Sequence, residues 1–104
     1  MNKKFLNACW RGQTETVAML LEKGADVNAM DNDGITALMW TTKYGRTEIV
    51  KILLERGADV NAMDNRGKTA LMDASKFGKT EIVNILLDRG ADVNAINKEQ
   101  DTPL

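Results

Sequence analysis

The phrase GADVNA occurs three times, at residues 24–29, 57–62 and 90–95, with a spacing of 33 residues. Aligned on this phrase, residues 24–56 and 57–89 differ at only nine of their 33 positions. Self-similarity at a fixed period indicates a repeat architecture in which each unit packs on its neighbours. The predicted units cover about residues 1–23, 24–56, 57–89 and, in part, 90–104 of a single domain spanning 1–104.

Each unit has the pattern of two short helices. In the second unit, Thr36 precedes an apolar stretch that stops at Gly45, as expected of a helix with a threonine N-cap and a glycine end. A second helix is predicted from Thr47, whose hydroxyl is expected to cap it and whose neighbour Glu48 suits the helix dipole. Its apolar side chains cover too wide an arc for one-sided packing, so we expect this helix to lie between neighbouring units.

The segment that links the units is expected to be an extended hairpin. Residues 57–68 combine short polar turn formers with two glycines. The predicted fold class is therefore all-α, an open α-solenoid of stacked helix–turn–helix pairs with β-hairpin-like turns. One register position carries only small residues, and we expect all three to lie in the core where the first helices approach closely: Cys9, Thr42 and Ser75.

Composition argues against most catalytic and metal-binding classes. The chain has 104 residues, no histidine, one cysteine, and 14 basic against 15 acidic residues. We therefore expect no catalytic residue, no cofactor and no metal, and neither nucleic acid nor a membrane as partner. Lys3 and Lys4 precede an apolar stretch, but Asn7 and Arg11 interrupt it, so we expect no signal peptide and a cytoplasmic location.

The repeated positions are similar to the ankyrin repeat. The matching residues of the second unit are Asp31, Gly34, Thr36, Leu38, Gly45, Ile49, Val50, Leu53, Leu54, Gly57, Ala58, Asp59, Val60 and Asn61, and the next unit repeats every one of them. The resemblance implies a non-catalytic scaffold for protein–protein interaction that binds through a concave groove of first helices and hairpin tips. Met39 and Met72 occupy the positions where the family usually has histidine, so we expect the turn to lose the hydrogen bond between that histidine and the threonine.

Positions at which the two similar units differ are the best candidates for partner contact, because positions that hold the fold should repeat. These differences fall mostly on hairpin tips and first helices, which in the resembled family form the concave binding face. Mapped by register, that face comprises Asn7, Trp10, Arg11, Asp33, Ile35, Trp40, Lys43, Tyr44, Arg66, Lys68, Asp73, Lys76 and Phe77. They include four of the five aromatic residues, which are common interface anchors. The set favours a protein partner with acidic patches near an apolar spot. In the alternative interpretation, Tyr44 and Phe77 merely pack across helix ends and Trp40 covers the core.

Two other functions remain as alternatives. The last helix pair has no full successor, so Ile82, Ile85 and Leu86 are expected to be uncovered and to support end-to-end self-association or a longer array. A small enzyme is the least favoured alternative, because Cys9 has no histidine to deprotonate it and is better explained as core.

The other polar positions that recur once per unit have structural explanations. Compensation of the helix dipole at helix starts explains Glu15, Glu48 and Glu81. Hydrogen bonding within turns explains Asp26, Asp59 and Asp92 better than calcium coordination does. The asparagine two residues later follows the same logic, and the resemblance leaves hydroxylation there open. A third position is expected to form an exposed apolar stripe: Met30, Met63 and Ile96.

Overall fold

The computed structural model describes residues 2–94, and within that range it has six helices. They are α1 (Asn2–Arg11), α2 (Thr14–Glu22), α3 (Ala37–Lys43), α4 (Thr47–Glu55), α5 (Ala70–Lys76) and α6 (Thr80–Asp88). The first helices α1, α3 and α5 pack side by side in one layer, and α2, α4 and α6 pack in a second layer. The predicted stack of helix pairs is therefore confirmed. Within the described range, none of the helices is both long and apolar enough to cross a bilayer.

The first helices of the second and third units, α3 and α5, each follow a threonine N-cap, as predicted. The Thr36 hydroxyl accepts the backbone N–H of Met39 at 3.2 Å, and Thr69 accepts that of Met72 at 3.3 Å. In place of the hydrogen bond expected to be lost at this turn, the sulfur of Met39 accepts the backbone N–H of Thr36 at 3.5 Å. The predicted cap at Thr47 is wrong: Arg46 is the N-cap residue of α4 and no side chain caps this helix. Thr47 is already helical there.

The linking segments are tight loops tied by aspartates. The backbone N–H of Asp31 donates to the carbonyl oxygen of Ile35 at 3.0 Å. Next to this bond, an isolated antiparallel β-bridge pairs Met30 with Thr36. Asp64 and Lys68 form the same backbone bond at 2.9 Å in the next unit. The hairpin-like turn is therefore confirmed, although no strand forms within residues 2–94. The exposed position predicted for the apolar stripe is confirmed for Met30 and Met63, and Ile96 lies outside the described residues.

The turn role predicted for the aspartates of GADVNA is also confirmed. The Oδ1 atoms of Asp26, Asp59 and Asp92 each accept the backbone N–H two residues later, at 2.9, 3.0 and 2.9 Å. An aspartate that bonds its own turn in this way favours the turn over a helix or strand.

Burial at the end of the stack corrects two expectations. Cys9 and Thr42 are fully buried, but Ser75 is exposed, because no further first helix follows α5 within the described residues. Conversely, Ile82 and Leu86 are buried rather than uncovered, since α6 packs against α4 and α5, and Ile85 is partly buried.

Candidate functional site

A pocket of about 410 Å³ lies between α3 and α5, under the loops that precede them. We call it the α3–α5 pocket. Its lining is Asp33, Ile35, Met39, Trp40, Lys43, Asp64, Asn65, Arg66, Lys68, Asp73, Lys76 and Phe77. Nine of the thirteen predicted groove residues therefore lie together here.

The repeat register explains why these side chains meet. Trp40 and Lys43 are three residues apart on α3, a spacing that places two side chains on one helix face. Asp73 and Lys76 occupy the same two positions on α5, one unit later. Because α3 and α5 are neighbours in the same layer, the equivalent faces of the two helices lie side by side and line one pocket.

Of the other four predicted groove residues, Trp10 and Tyr44 belong to a row of aromatic rings beside the pocket, and Asn7 and Arg11 contact the Trp10 side chain. The ring centroids of Trp10 and Tyr44 are 5.9 Å apart with planes tilted by 40°. Tyr44 also stacks on Trp40, with centroids 5.9 Å apart and planes within 10°. Offset aromatic pairs at such distances contribute about 0.5–1.5 kcal/mol beyond their buried area. We call Trp10, Tyr44 and Trp40 the aromatic row.

Basic side chains lie over these rings. The Arg11 guanidinium is 5.2 Å from the centroid of the Trp10 ring, and the Lys43 ammonium is 5.5 Å from that of Trp40 and 5.8 Å from that of Tyr44. Lys76 lies 5.8 Å from the Phe77 ring, outside the aromatic row. At exposed sites a cation–π contact is worth about 0.5–1 kcal/mol, so these contacts orient the cations more than they stabilise the fold.

Polar bonds hold both tryptophans in place. The indole nitrogen of Trp40 donates to Oδ2 of Asp31 at 3.2 Å, and that of Trp10 donates to the side-chain oxygen of Asn7 at 3.2 Å. Tyr44 and Phe77 are 45% and 44% exposed, so packing across helix ends leaves nearly half of each residue open to solvent.

The pocket combines opposite charges in a partly buried space. Burial raises the pKa of Asp73 above its ordinary value; Lys68, Lys43 and Lys76 act in the opposite direction, and Asp64 adds to the rise. The ionised form of Asp73 is therefore less favourable in the folded chain than in water, in spite of three lysines.

Sequence comparison between units missed four residues of this region. Met39, Asp64 and Asn65 line the pocket, and Asp31 holds Trp40. All four are identical in the neighbouring unit because they also serve the turns or the core, so a search for differences passed over them. The repeated aspartate at the start of each loop was the signal that could have revealed Asp31 and Asp64.

The remaining candidates have the structural surroundings that were predicted for them. Cys9 is buried on α1, and burial raises the pKa of its thiol to about 12, so it stays protonated near neutral pH. Glu15, Glu48 and Glu81 lie in the first turns of α2, α4 and α6. Among residues 2–94, no group of three or more cysteine or carboxylate side chains is placed to hold a metal ion.

Comparison with known proteins agrees with this architecture. A family model described as ankyrin repeats matches residues 5–97 in three copies. The chain is also 59% identical over 34 residues to protein phosphatase 1 regulatory subunit 12A of Gallus gallus. That match spans 33% of this chain and only 3% of the relative.

Proposed function

Because the chain belongs to the ankyrin repeat family, we propose that it is a non-catalytic module that binds a partner protein through the α3–α5 pocket and the aromatic row. Ankyrin repeats are generally protein-interaction modules, and the matched relative is by its name a regulatory subunit. A cytoplasmic location remains part of the proposal.

The aromatic row is the observation that carries this proposal. The Tyr44 ring contacts those of Trp10 and Trp40 along the layer of first helices, while the core between the layers consists mainly of aliphatic and small residues. A stack of helices does not need a half-exposed tyrosine between two tryptophans. Aromatic and arginine side chains are, however, enriched among the residues that dominate protein interfaces.

The groove is also held in shape before any partner arrives. Nε of Arg46 donates to the carbonyl of Trp10 at 3.0 Å, so the loop after α3 is tied to α1. Trp40 is fixed by Asp31 on one side and Tyr44 on the other. Side chains that are ordered in advance lose less entropy on binding, which favours affinity.

Affinity capture from the source lysate tests the proposal. We expect Tyr44→Ala and Trp40→Ala to reduce retention of the captured protein by about tenfold or more, as for interface hot spots. Met19→Ala serves as the matched control, because Met19 is exposed on α2 in the opposite layer. Far-UV circular dichroism of each variant separates lost binding from lost helicity. Equal retention by the parent chain and both groove variants would remove the groove assignment.

Self-association through the C-terminal face is a second candidate, favoured by one comparison between units. Leu54 is 6% exposed beneath the third unit, whereas Leu87, at the same register position of that unit, is 39% exposed. Val93 is 53% exposed on the loop that follows α6. Sedimentation velocity over a concentration series should show a dimer that Leu87→Lys abolishes. A monomer at every concentration would exclude this candidate.

A further inference from the structure

We infer that the α3–α5 pocket binds an acidic segment of the partner protein, an inference that rests on the proposed function and names the chemistry of its ligand. A partner carboxylate lies among three ammonium groups, the lysine trio of Lys43, Lys68 and Lys76. A neighbouring apolar side chain of the partner packs on the apolar wall formed by Ile35, Trp40 and Phe77.

The lining of the α3–α5 pocket carries a small excess of positive charge. It has four basic residues against three acidic ones, Asp33, Asp64 and Asp73. The chain as a whole carries a net charge of -1, so the pocket lining is slightly positive on a slightly negative protein. Complementary potentials of this kind select partners and accelerate encounter.

The lysine trio is available to an outside carboxylate. Two ion pairs among the described residues join Lys51 to Glu48 and Arg56 to Glu22, and both lie outside the pocket. No member of the trio has a carboxylate within 4.0 Å in the described part of the chain. Lys43 and Lys76 are exposed and Lys68 is half-buried, so their ammonium groups can form charge-assisted hydrogen bonds with an anionic ligand.

Two of the nearby carboxylates are engaged by the loops. Oδ1 of Asp64 accepts the backbone N–H groups of Arg66 and Lys68 at 2.8 and 3.0 Å. Asp31 accepts the equivalent pair, at 2.9 and 3.0 Å, and the Trp40 indole as well. Hydrogen bonds that already occupy these oxygens leave them less able to recognise a basic partner.

The charge of Asp73 distinguishes an acidic ligand from a basic one. It lies in the same pocket and interacts electrostatically with every member of the lysine trio. An incoming carboxylate is repelled by Asp73, whereas an incoming lysine or arginine is attracted by it. Replacing Asp73 by asparagine therefore strengthens binding of an acidic segment and weakens binding of a basic one.

The size of the pocket suits a short segment rather than a whole protein surface. A volume of about 410 Å³ lies at the small end of the range of ligand pockets, roughly 300–1,000 Å³. The apolar wall combines Trp40 of α3, Phe77 at the end of α5 and Ile35 of the loop that precedes α3.

Selection from a phage-displayed library of random peptides on the full chain tests the inference. We expect enrichment of sequences in which an apolar residue is flanked by aspartate or glutamate. Lys43→Gln with Lys76→Gln should weaken the selected peptides by about tenfold, more so in dilute salt. Lys23→Gln with Lys51→Gln removes the same charge from exposed positions outside the pocket and should have little effect.

Asp73→Asn provides the decisive measurement. We expect the selected acidic peptide to bind this variant about threefold or more tightly, as measured by fluorescence anisotropy. Equal or weaker binding overturns the inference, and so does enrichment of basic or uncharged peptides. If such peptides still depend on Trp40, the proposed groove stands and only its chemistry is wrong. If no enriched peptide depends on Trp40 or Lys43, the groove proposal fails as well.

Discussion

The side-chain oxygen of Asn28 accepts the backbone N–H of Asp59 at 2.8 Å and thereby joins one repeat to the next. Asn61 forms the same bond with Asp92 at 2.7 Å, and its amide nitrogen donates to the carbonyl of Gly90 at 3.1 Å. The phrase that defines the repeat thus also supplies the hydrogen bonds between repeats.

Removal of these bonds should loosen the stack. Asn28→Ala and Asn61→Ala are each expected to lower the free energy of unfolding by about 0.5–1.5 kcal/mol, the usual net value of a hydrogen bond. Urea denaturation measures the change. Asn84→Ala is the control, since Asn84 is exposed on α6 and should change stability little. An unchanged midpoint for Asn28→Ala would show that the bond contributes nothing.

Two adjacent threonines of α3 should respond differently to loss of the hydroxyl. Both are fully buried, but the Thr41 hydroxyl bonds the carbonyls of Ala37 and Leu38 at 2.9 and 3.0 Å, whereas that of Thr42 has no partner. A buried polar group without a partner costs about 1–3 kcal/mol. We expect Thr42→Val to raise the free energy of unfolding by about 1 kcal/mol and Thr41→Val to leave it equal or lower it. Thermal unfolding of the two variants measures the difference. Equal shifts in Tm would contradict the finding that, of the two hydroxyls, only that of Thr42 lacks a hydrogen-bond partner.

Two glycines with the same backbone handedness should differ in tolerance. Gly34 and Gly57 have φ of 77° and 90°, a region that costs other residues roughly 1–2 kcal/mol. A Cβ on Gly34 would lie 2.6 Å from the side-chain oxygen of Asn65 and 3.0 Å from its backbone nitrogen, while one on Gly57 meets nothing within 4 Å. We expect Gly34→Ala to be less stable than Gly57→Ala by about 1 kcal/mol or more in chemical denaturation. Equal losses of stability in the two variants would mean that the loop containing Asn65 moves aside at little cost.

Stability should depend on pH through Asp73. Its pKa in the folded chain is raised above the unfolded value of about 3.9, so ionisation disfavours the native state. The penalty is absent well below pH 3.9, grows as pH rises through the unfolded and then the folded pKa, and is complete above both. Asp73→Asn should therefore increase Tm at pH 7 and change it little at pH 3. The same increase at both pH values would contradict a titration effect.

Much of the groove was predictable because repeats provide an internal comparison. Positions such as Trp40 and Asp73 differ between units that are otherwise nearly identical, and a position that does not hold the stack is free to differ. The same reasoning failed for Asp31, which serves the turn and the Trp40 indole at once. It also failed for Ser75, whose exposure depends on which helix follows α5 rather than on its own unit.

The amino-acid sequence alone determined the period, the order of helices and turns, and which side chains share a helix face, because these follow from local spacing. Only the tertiary structure decided which faces meet. Trp10 and Tyr44 are separated by more than one repeat and come into contact because α1 packs on α3. Packing distances between units depend on the whole stack, so the pocket, the stacked rings and the surroundings of Asp73 arise only once the units assemble.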